Sequence, residues 1–160
     1  MRNVLRLFVI FLLALCPAFG QTQPIAFSHL THVGTVKLSC EDCHLLPAKF
    51  GDNAGIPDAP KCLECHAFSV NKTSTLATLN YWSEKKQPIP WIRIFALKDF
   101  VFFDHRYHLQ NGAKCEDCHG PISTEEVVSD KIGTTKMTTC QPCHVKSGAK
   151  TGCTTCHDAR

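Results

Sequence analysis

Residues 102–119 read FFDHRYHLQNGAKCEDCH, in which His105 and His108 precede Cys115, Cys118 and His119. Two cysteines at this spacing lie on one face of a helical turn, so both sulfurs can form thioethers with the two vinyl groups of one porphyrin. The histidine directly after the second cysteine then lies over the porphyrin plane, where its imidazole can ligate iron. The Cys-x-x-Cys-His pattern therefore predicts a covalently attached haem c.

This pattern occurs five times, and we number the motifs 1 to 5 in chain order. They are motif 1 at Cys40, Cys43 and His44, motif 2 at Cys62, Cys65 and His66, motif 3 at Cys115, Cys118 and His119, motif 4 at Cys140, Cys143 and His144, and motif 5 at Cys153, Cys156 and His157. Paired cysteines also describe structural zinc sites, but a zinc site does not need a histidine directly after the second cysteine. Because every pair has that histidine, we predict five covalent haem c groups.

The N-terminus has the pattern of an export signal. Arg2 and Arg6 form a charged start, Leu7–Leu15 is an apolar run, and Ala18 and Gly20 fit a small-x-small cleavage site. We therefore interpret residues 1–20 as a signal peptide and expect a periplasmic protein. The apolar run is short for a membrane span, and its retention as a membrane anchor stays open as an alternative.

Removing this segment changes the cysteine and charge counts. Of eleven cysteines, only Cys16 lies outside the motifs, so none remains for a disulfide; lipid modification of Cys16 is a further alternative. Haem attachment of this kind takes place outside the cytoplasmic membrane, which agrees with export. The 17 basic and 14 acidic residues become 15 and 14 without Arg2 and Arg6. A net charge of +1 gives no case for a nucleic-acid partner.

Outside residues 89–103, the apolar residues of the mature chain are scattered among Gly, Pro, Thr and Lys, with no sustained helical or alternating period. We therefore predict a mostly irregular fold with small α-helices, in which short helices and loops wrap around five haems. The porphyrins should form most of the hydrophobic interior, and the apoprotein should be largely unfolded.

An approximate repeat suggests two modules. Phe27–His32 and Phe103–His108 share the pattern Phe-x-His-x-x-His, with a shift of 76 residues, whereas motifs 1 and 3 are shifted by 75. This indicates an internal duplication. We assign 21–70 to a two-haem module, 71–102 to a polar connector followed by an apolar segment, and 103–160 to a three-haem module. In the apolar segment, Trp91 and Phe95 either pack against a haem or belong to a docking surface.

Nine histidines are present, and four of them lie outside the motifs. These four occur only in the repeated pattern, which favours distal ligation over ordinary polar roles; they are His29, His32, His105 and His108. The Phe103–His108 segment followed by motifs 3, 4 and 5 resembles the class III cytochromes of the c3 and c7 type. The resemblance implies that His105 ligates the haem of motif 3 and His108 that of motif 4, in a c7-like module. By the duplication, His29 would serve motif 1 and His32 motif 2.

The haem of motif 5 is left without a histidine. In the three-haem family its partner lies just before the middle motif, where this chain has Thr135-Lys136-Met137-Thr138-Thr139. The resemblance therefore implies Met137 as the fifth distal ligand. A five-coordinate iron, or ligation by Lys136 or water, stays open.

A broader resemblance covers most of the mature chain. The run from Gln87–Trp91 through Asp99–Val101, motif 3 with the following Gly120-Pro121, and Met137 ahead of motif 4 is similar to the pentahaem cytochrome subunit of alternative complex III. That complex is a bacterial quinol-oxidising assembly, so the resemblance implies a membrane complex among the redox partners. A free periplasmic relative is equally compatible.

Six-coordinate iron admits no substrate, so we expect an electron carrier rather than an enzyme, with redox proteins as partners and no small-molecule substrate. Two alternatives are a small reductase acting on nitrite or peroxide at an open iron of motif 5, and a docking subunit of a membrane complex.

Overall fold

The computed structural model describes residues 22–45, 54–69, 73–129 and 136–157. The proposed signal peptide, with Cys16, lies outside these ranges. The regular elements are short and helical: a π-helix Leu30–Thr35, 3-10 helices Cys40–Asp42 and Ile122–Thr124, and α-helices Ala59–His66, Ser74–Lys85, His105–Gln110, Cys115–His119, Met137–Ser147 and Cys153–Cys156. Across the described ranges, extended backbone pairs only at an isolated antiparallel bridge between Val101 and His157. The prediction of small helices joined by irregular segments is confirmed.

Few apolar side chains are buried among the described residues. Ile25, Ala59, Leu79 and Ile89 form one small cluster, with Trp91 packed at its edge. No described side chain is both large and completely shielded from solvent. A cluster of this size contributes little of the burial that stabilises a domain of this length, so the polypeptide depends on other apolar surface for its interior.

The connector contains a helix that its polar composition did not indicate. Ser74–Lys85 is α-helical, with the Thr73 hydroxyl accepting a hydrogen bond from the Leu76 amide at its start. Leu79 is buried, and this helix packs against Ala59–His66. One apolar face is enough to hold a helix in place even when its overall composition is polar. The connector is therefore part of the packed body.

The apolar segment that follows is anchored by hydrogen bonds. The Ile89 amide donates to Asp58 Oδ1 at 2.9 Å, and Trp91 Nε1 donates to the Pro57 carbonyl at 2.9 Å. Gln23 anchors Ile92, because its side-chain amide both donates to the Ile92 carbonyl and accepts from the Ile92 amide. Trp91 is thus used for packing.

The two halves of the chain are in direct contact. The Leu30 amide donates to the Glu125 carbonyl at 2.9 Å, so the Leu30–Thr35 helix lies against Ile122–Thr124. Gly34 permits this approach, since a Cβ there would lie 2.8 Å from the Ser123 carbonyl oxygen.

The described residues contain no helix long and apolar enough to cross a membrane.

Candidate functional site: paired histidines beside five cysteine motifs

Each half of the chain places one phenylalanine ring against two histidines. Phe27 packs edge-on against His29 at 4.9 Å between ring centroids and stacks on His32 at 4.3 Å. Phe103 repeats both contacts, edge-on against His105 and stacked on His108, each at 4.7 Å. The aromatic contact fixes the orientation of two imidazoles that are three residues apart on one helical turn.

The winding of the two histidine segments differs by one residue. His29 is eleven residues before Cys40, whereas His105 is ten residues before Cys115. The first segment is wound as a π-helix and the second as an α-helix. A π-turn accommodates one extra residue within a helix and is frequent at functional sites. The π-helix therefore accommodates the extra residue, and both histidines keep their contacts with the phenylalanine ring.

Each of these four histidines faces the histidine of one motif. The distances between ring centroids are 6.4 Å for His29 and His44, 6.0 Å for His32 and His66, 6.3 Å for His105 and His119, and 6.1 Å for His108 and His144. The resemblance implied the two pairs of the second half, and the duplication implied the two pairs of the first. They join residues as far apart as 36 positions along the chain.

The separations fit one metal ion between each pair. Two metal–imidazole bonds of about 2.0 Å, with roughly 1.2 Å from each bonded nitrogen to its ring centroid, place the centroids about 6.4 Å apart. The planes are nearly parallel for the pairs serving motifs 1 and 3, at 2° and 7°, and tilted for those serving motifs 2 and 4, at 57° and 46°. The residues thus fit bis-histidine iron on four motifs.

Backbone carbonyls orient four of the imidazoles. His32 and His108 each donate from Nδ1 to the carbonyl four residues earlier, of Ser28 and Asp104, both at 2.8 Å. A carbonyl oxygen can only accept, so the proton lies on Nδ1 and Nε2 is free to bind iron. In the motifs themselves, His44 donates to the Gly55 carbonyl at 2.9 Å and His144 to the Lys150 carbonyl at 2.7 Å. Such bonds fix the ring and raise its basicity as a ligand.

Burial lowers the pKa of three of the paired imidazoles. Burial, with smaller effects of the neighbouring His44 and His32, lowers the pKa of His29 to about 4. Burial and His108 lower the pKa of His105, and burial, His105 and His44 lower that of His119. Only a neutral imidazole binds a metal, so a lowered pKa preserves ligation into mildly acidic solution.

The ten motif cysteines are all free thiols, each exposed or half-buried. Motifs 2 to 5 carry them on α-helical turns and motif 1 on a 3-10 turn, so in every motif both sulfurs lie on one side of the backbone. No group of three or more metal-binding side chains meets anywhere in the described ranges; the histidines meet in pairs. That arrangement differs from the four-ligand set of a structural zinc site.

Motif 5 is built differently from the other four. The Phe102 amide donates to the Cys156 carbonyl at 2.8 Å, which holds the motif beside the start of the Phe103–His108 segment. His157 lies 5.7 Å from the Phe100 ring, between centroids, and its buried Nδ1 has no hydrogen-bond partner. Met137 is the first residue of the Met137–Ser147 helix and is 56% exposed. It is thus free to accept a contact from a porphyrin, and it lies one turn from Cys140.

The sequence did not indicate the role of Asp104, and it left the role of Phe95 open. Asp104 is buried and forms an ion pair with Arg106 at 2.8 Å, and its Oδ1 accepts from the Arg106 amide. The aspartate before a helical segment is an N-cap signal that could have been recognised. Phe95 packs edge-on against His119 at 4.6 Å, which supports haem packing for this residue over a docking role.

Comparison with known proteins agrees with this geometry for the second half of the chain. Residues 101–158 match the family model described as cytochrome c7 and related cytochrome c. No curated protein matches the chain. The matched segment is therefore similar to a family of multihaem electron-transfer cytochromes with covalent haem c, and the fold is that of a multihaem cytochrome. The match begins after the first two motifs.

Proposed function

We propose that this protein is an exported pentahaem c-type cytochrome that passes electrons between redox partners. The observation that carries the proposal is the set of four histidine pairs at 6.0 to 6.4 Å, each built on one Cys-x-x-Cys-His motif. Two of the pairs lie in residues 22–69, outside the segment that matches the family model, so the same chemistry extends to both halves.

The chain's own residues define what the sites can do. A covalently held haem supplies one-electron exchange between ferric and ferrous iron. The two imidazoles of each pair would hold the iron between them and would leave it no open position for a substrate. The carbonyls of Ser28, Asp104, Gly55 and Lys150 hold four imidazoles as Nδ1–H donors, and such hydrogen bonds would stabilise the oxidised iron and lower its reduction potential. The proposed role of the polypeptide is thus to position the haems and to tune their reduction potentials.

For motif 5 we propose Met137 as the distal ligand. Met137 lies three residues before Cys140, hence on the same face of the helix, and the thiol of Cys156 is near enough to raise the pKa of Cys140, after the larger effect of burial. The start of this helix is therefore close to motif 5. A thioether ligand would give this iron a higher potential than the bis-histidine irons.

The proposed partners are redox proteins, which include a membrane quinol-oxidising complex, and the proposed location is the periplasm. The export pattern at residues 1–20 and the extracytoplasmic attachment of haem c support both. A small reductase at motif 5 is the second candidate, because no histidine faces His157 among the described residues.

The test counts the haems of the holoprotein and measures whether its irons bind carbon monoxide. The mass of the purified holoprotein should exceed that of the mature polypeptide by five haems, and potentiometric titration should show five one-electron steps. Carbon monoxide should not bind to the fully reduced protein, and Met137→Ala should create one binding site, while Lys136→Ala, as the matched control, should create none. Binding of one carbon monoxide to the unmodified protein would reject Met137 as a ligand and favour the reductase.

A further inference from the structure

The spatial order of the five motifs differs from their order along the chain. Within the first half, Phe27 contacts both His29 and His32, and these histidines face motifs 1 and 2. One aromatic ring thus separates the axial ligands of two motifs. Motifs 1 and 2 are therefore direct neighbours.

Motifs 3 and 4 are neighbours for the same reason. Phe103 contacts both His105 and His108, which face motifs 3 and 4. The second half thus repeats the adjacent pair of the first half.

The junction between the halves brings together the first motif of each. The Leu30 amide donates to the Glu125 carbonyl, and the Gly34 backbone approaches the Ser123 carbonyl. Ser123 in turn donates to Glu116 Oε1, within motif 3, at 2.8 Å. The contact is therefore built from the backbone that follows motif 3 and the helix Leu30–Thr35, whose N-terminal flanking residue His29 faces motif 1.

Motif 5 lies next to motif 4. His144 donates from Nδ1 to the Lys150 carbonyl at 2.7 Å, which holds the residues just before Cys153 against motif 4. The hydrogen bond from the Phe102 amide to the Cys156 carbonyl ties motif 5 to the residues before Phe103. None of the described contacts links motif 5 to the first half.

We propose that the five motifs form one unbranched line in the order 2–1–3–4–5, joined at motifs 1 and 3, with motifs 2 and 5 at its two ends. This inference rests on the proposed electron-carrier function and deepens it. Electrons would enter and leave at the two ends, so the surfaces that meet redox partners are those beside Cys62–His66 and beside Cys153–His157. The chain order alone would have placed motif 1 at an end and joined the halves through motifs 2 and 3.

Anomalous diffraction at the iron absorption edge, from crystals of the holoprotein, tests the order directly. The four shortest separations should join the irons of motifs 2 and 1, 1 and 3, 3 and 4, and 4 and 5. A shortest link between motifs 2 and 3, or between motif 5 and any motif other than 4, would overturn the order. Failure of the proposed function is distinct, since it would show as fewer than five irons or as the absence of reversible redox steps.

A variant sharpens the test at the junction. In Gly34→Ala, the added Cβ would lie 2.8 Å from the Ser123 oxygen, so the separation between the irons of motifs 1 and 3 should lengthen while the other three separations stay unchanged. The control is Gly152→Ala, whose Cβ would meet nothing closer than Thr155 Oγ1 at 3.6 Å. An unchanged separation in Gly34→Ala would mean that this contact does not set the junction. If the variant does not fold, the order in the unmodified protein still decides the proposal.

Discussion

The Phe27–His32 and Phe103–His108 segments reach the same ligand geometry by different local means. In the first, Ser28 caps the segment by accepting from the Thr31 amide at 3.0 Å, in an exposed position. In the second, the buried Asp104 carries an ion pair. One segment is π-helical and the other α-helical, yet the ring contacts, the Nδ1 bonds and the centroid distances agree.

The comparison shows which features the site requires. Phenylalanine, two histidines and a carbonyl four residues before the second histidine are present in both halves. The capping residue and the helix type differ, so they are local solutions to the same requirement. The site requires two neighbouring imidazoles that face the histidines of two different motifs.

The largest expected effect comes from removing a distal histidine in either half. His29→Ala and His105→Ala should each leave one iron with a single axial ligand, because the facing His44 or His119 remains. Each reduced variant should bind one more carbon monoxide per protein than the unmodified protein. Absorbance titration measures this number.

The control for these variants is Gln110→Ala, at the exposed end of the His105–Gln110 helix, which should bind no additional carbon monoxide. If only one of the two histidine variants gains a binding site, the halves are not equivalent and the duplication does not extend to iron ligation.

A smaller effect should distinguish the two capping residues. Asp104→Asn removes a buried charge that pairs with a partly exposed Arg106, and should lower the free energy of unfolding of the holoprotein by about 1–3 kcal/mol. Ser28→Ala removes an exposed cap and should cost about 1 kcal/mol or less. Denaturant titration under identical conditions gives both values. Equal losses would show that the ion pair adds nothing beyond capping.

The smallest effect is spectroscopic and needs no substitution. Within each half one imidazole pair is nearly parallel and the other is tilted by 46° or 57°. The angle between axial ligand planes changes the splitting of the iron d orbitals, so the four bis-histidine irons of the oxidised protein should show two classes of low-spin ferric signal in equal amounts. Electron paramagnetic resonance measures them. A single class for all four bis-histidine irons would contradict the repeat of ligand planes.

Much of the site was predictable because its motifs are local. Cys115, Cys118 and His119 are brought together by one helical turn, and this follows from spacing alone. The helix Ser74–Lys85 was not predicted, because it is held by burial of Leu79 against Ala59, a contact between segments that composition does not reveal. The role of Phe95 was left open for the same reason.

The pairing of the distal histidines was predictable only in part. The resemblance to c7-type cytochromes named the partners of His105 and His108, and the structure brings both pairs together. It also brings together His32 and His66, 34 residues apart, for which the sequence offered only an incomplete duplication. The iron ligation of all four pairs, and that of Met137, stays a prediction.

The sequence by itself determined the number of Cys-x-x-Cys-His motifs and predicted the proximal histidine of each, because these depend on residues within one turn of the backbone. The resemblance and the duplication predicted which histidines face each other, but only the tertiary structure showed which carbonyls orient them and how the halves meet beside motif 3. These relations join segments tens of residues apart, and they are set by packing, by a glycine that permits close approach, and by hydrogen bonds between the halves. Spacing along the chain carries no record of such contacts.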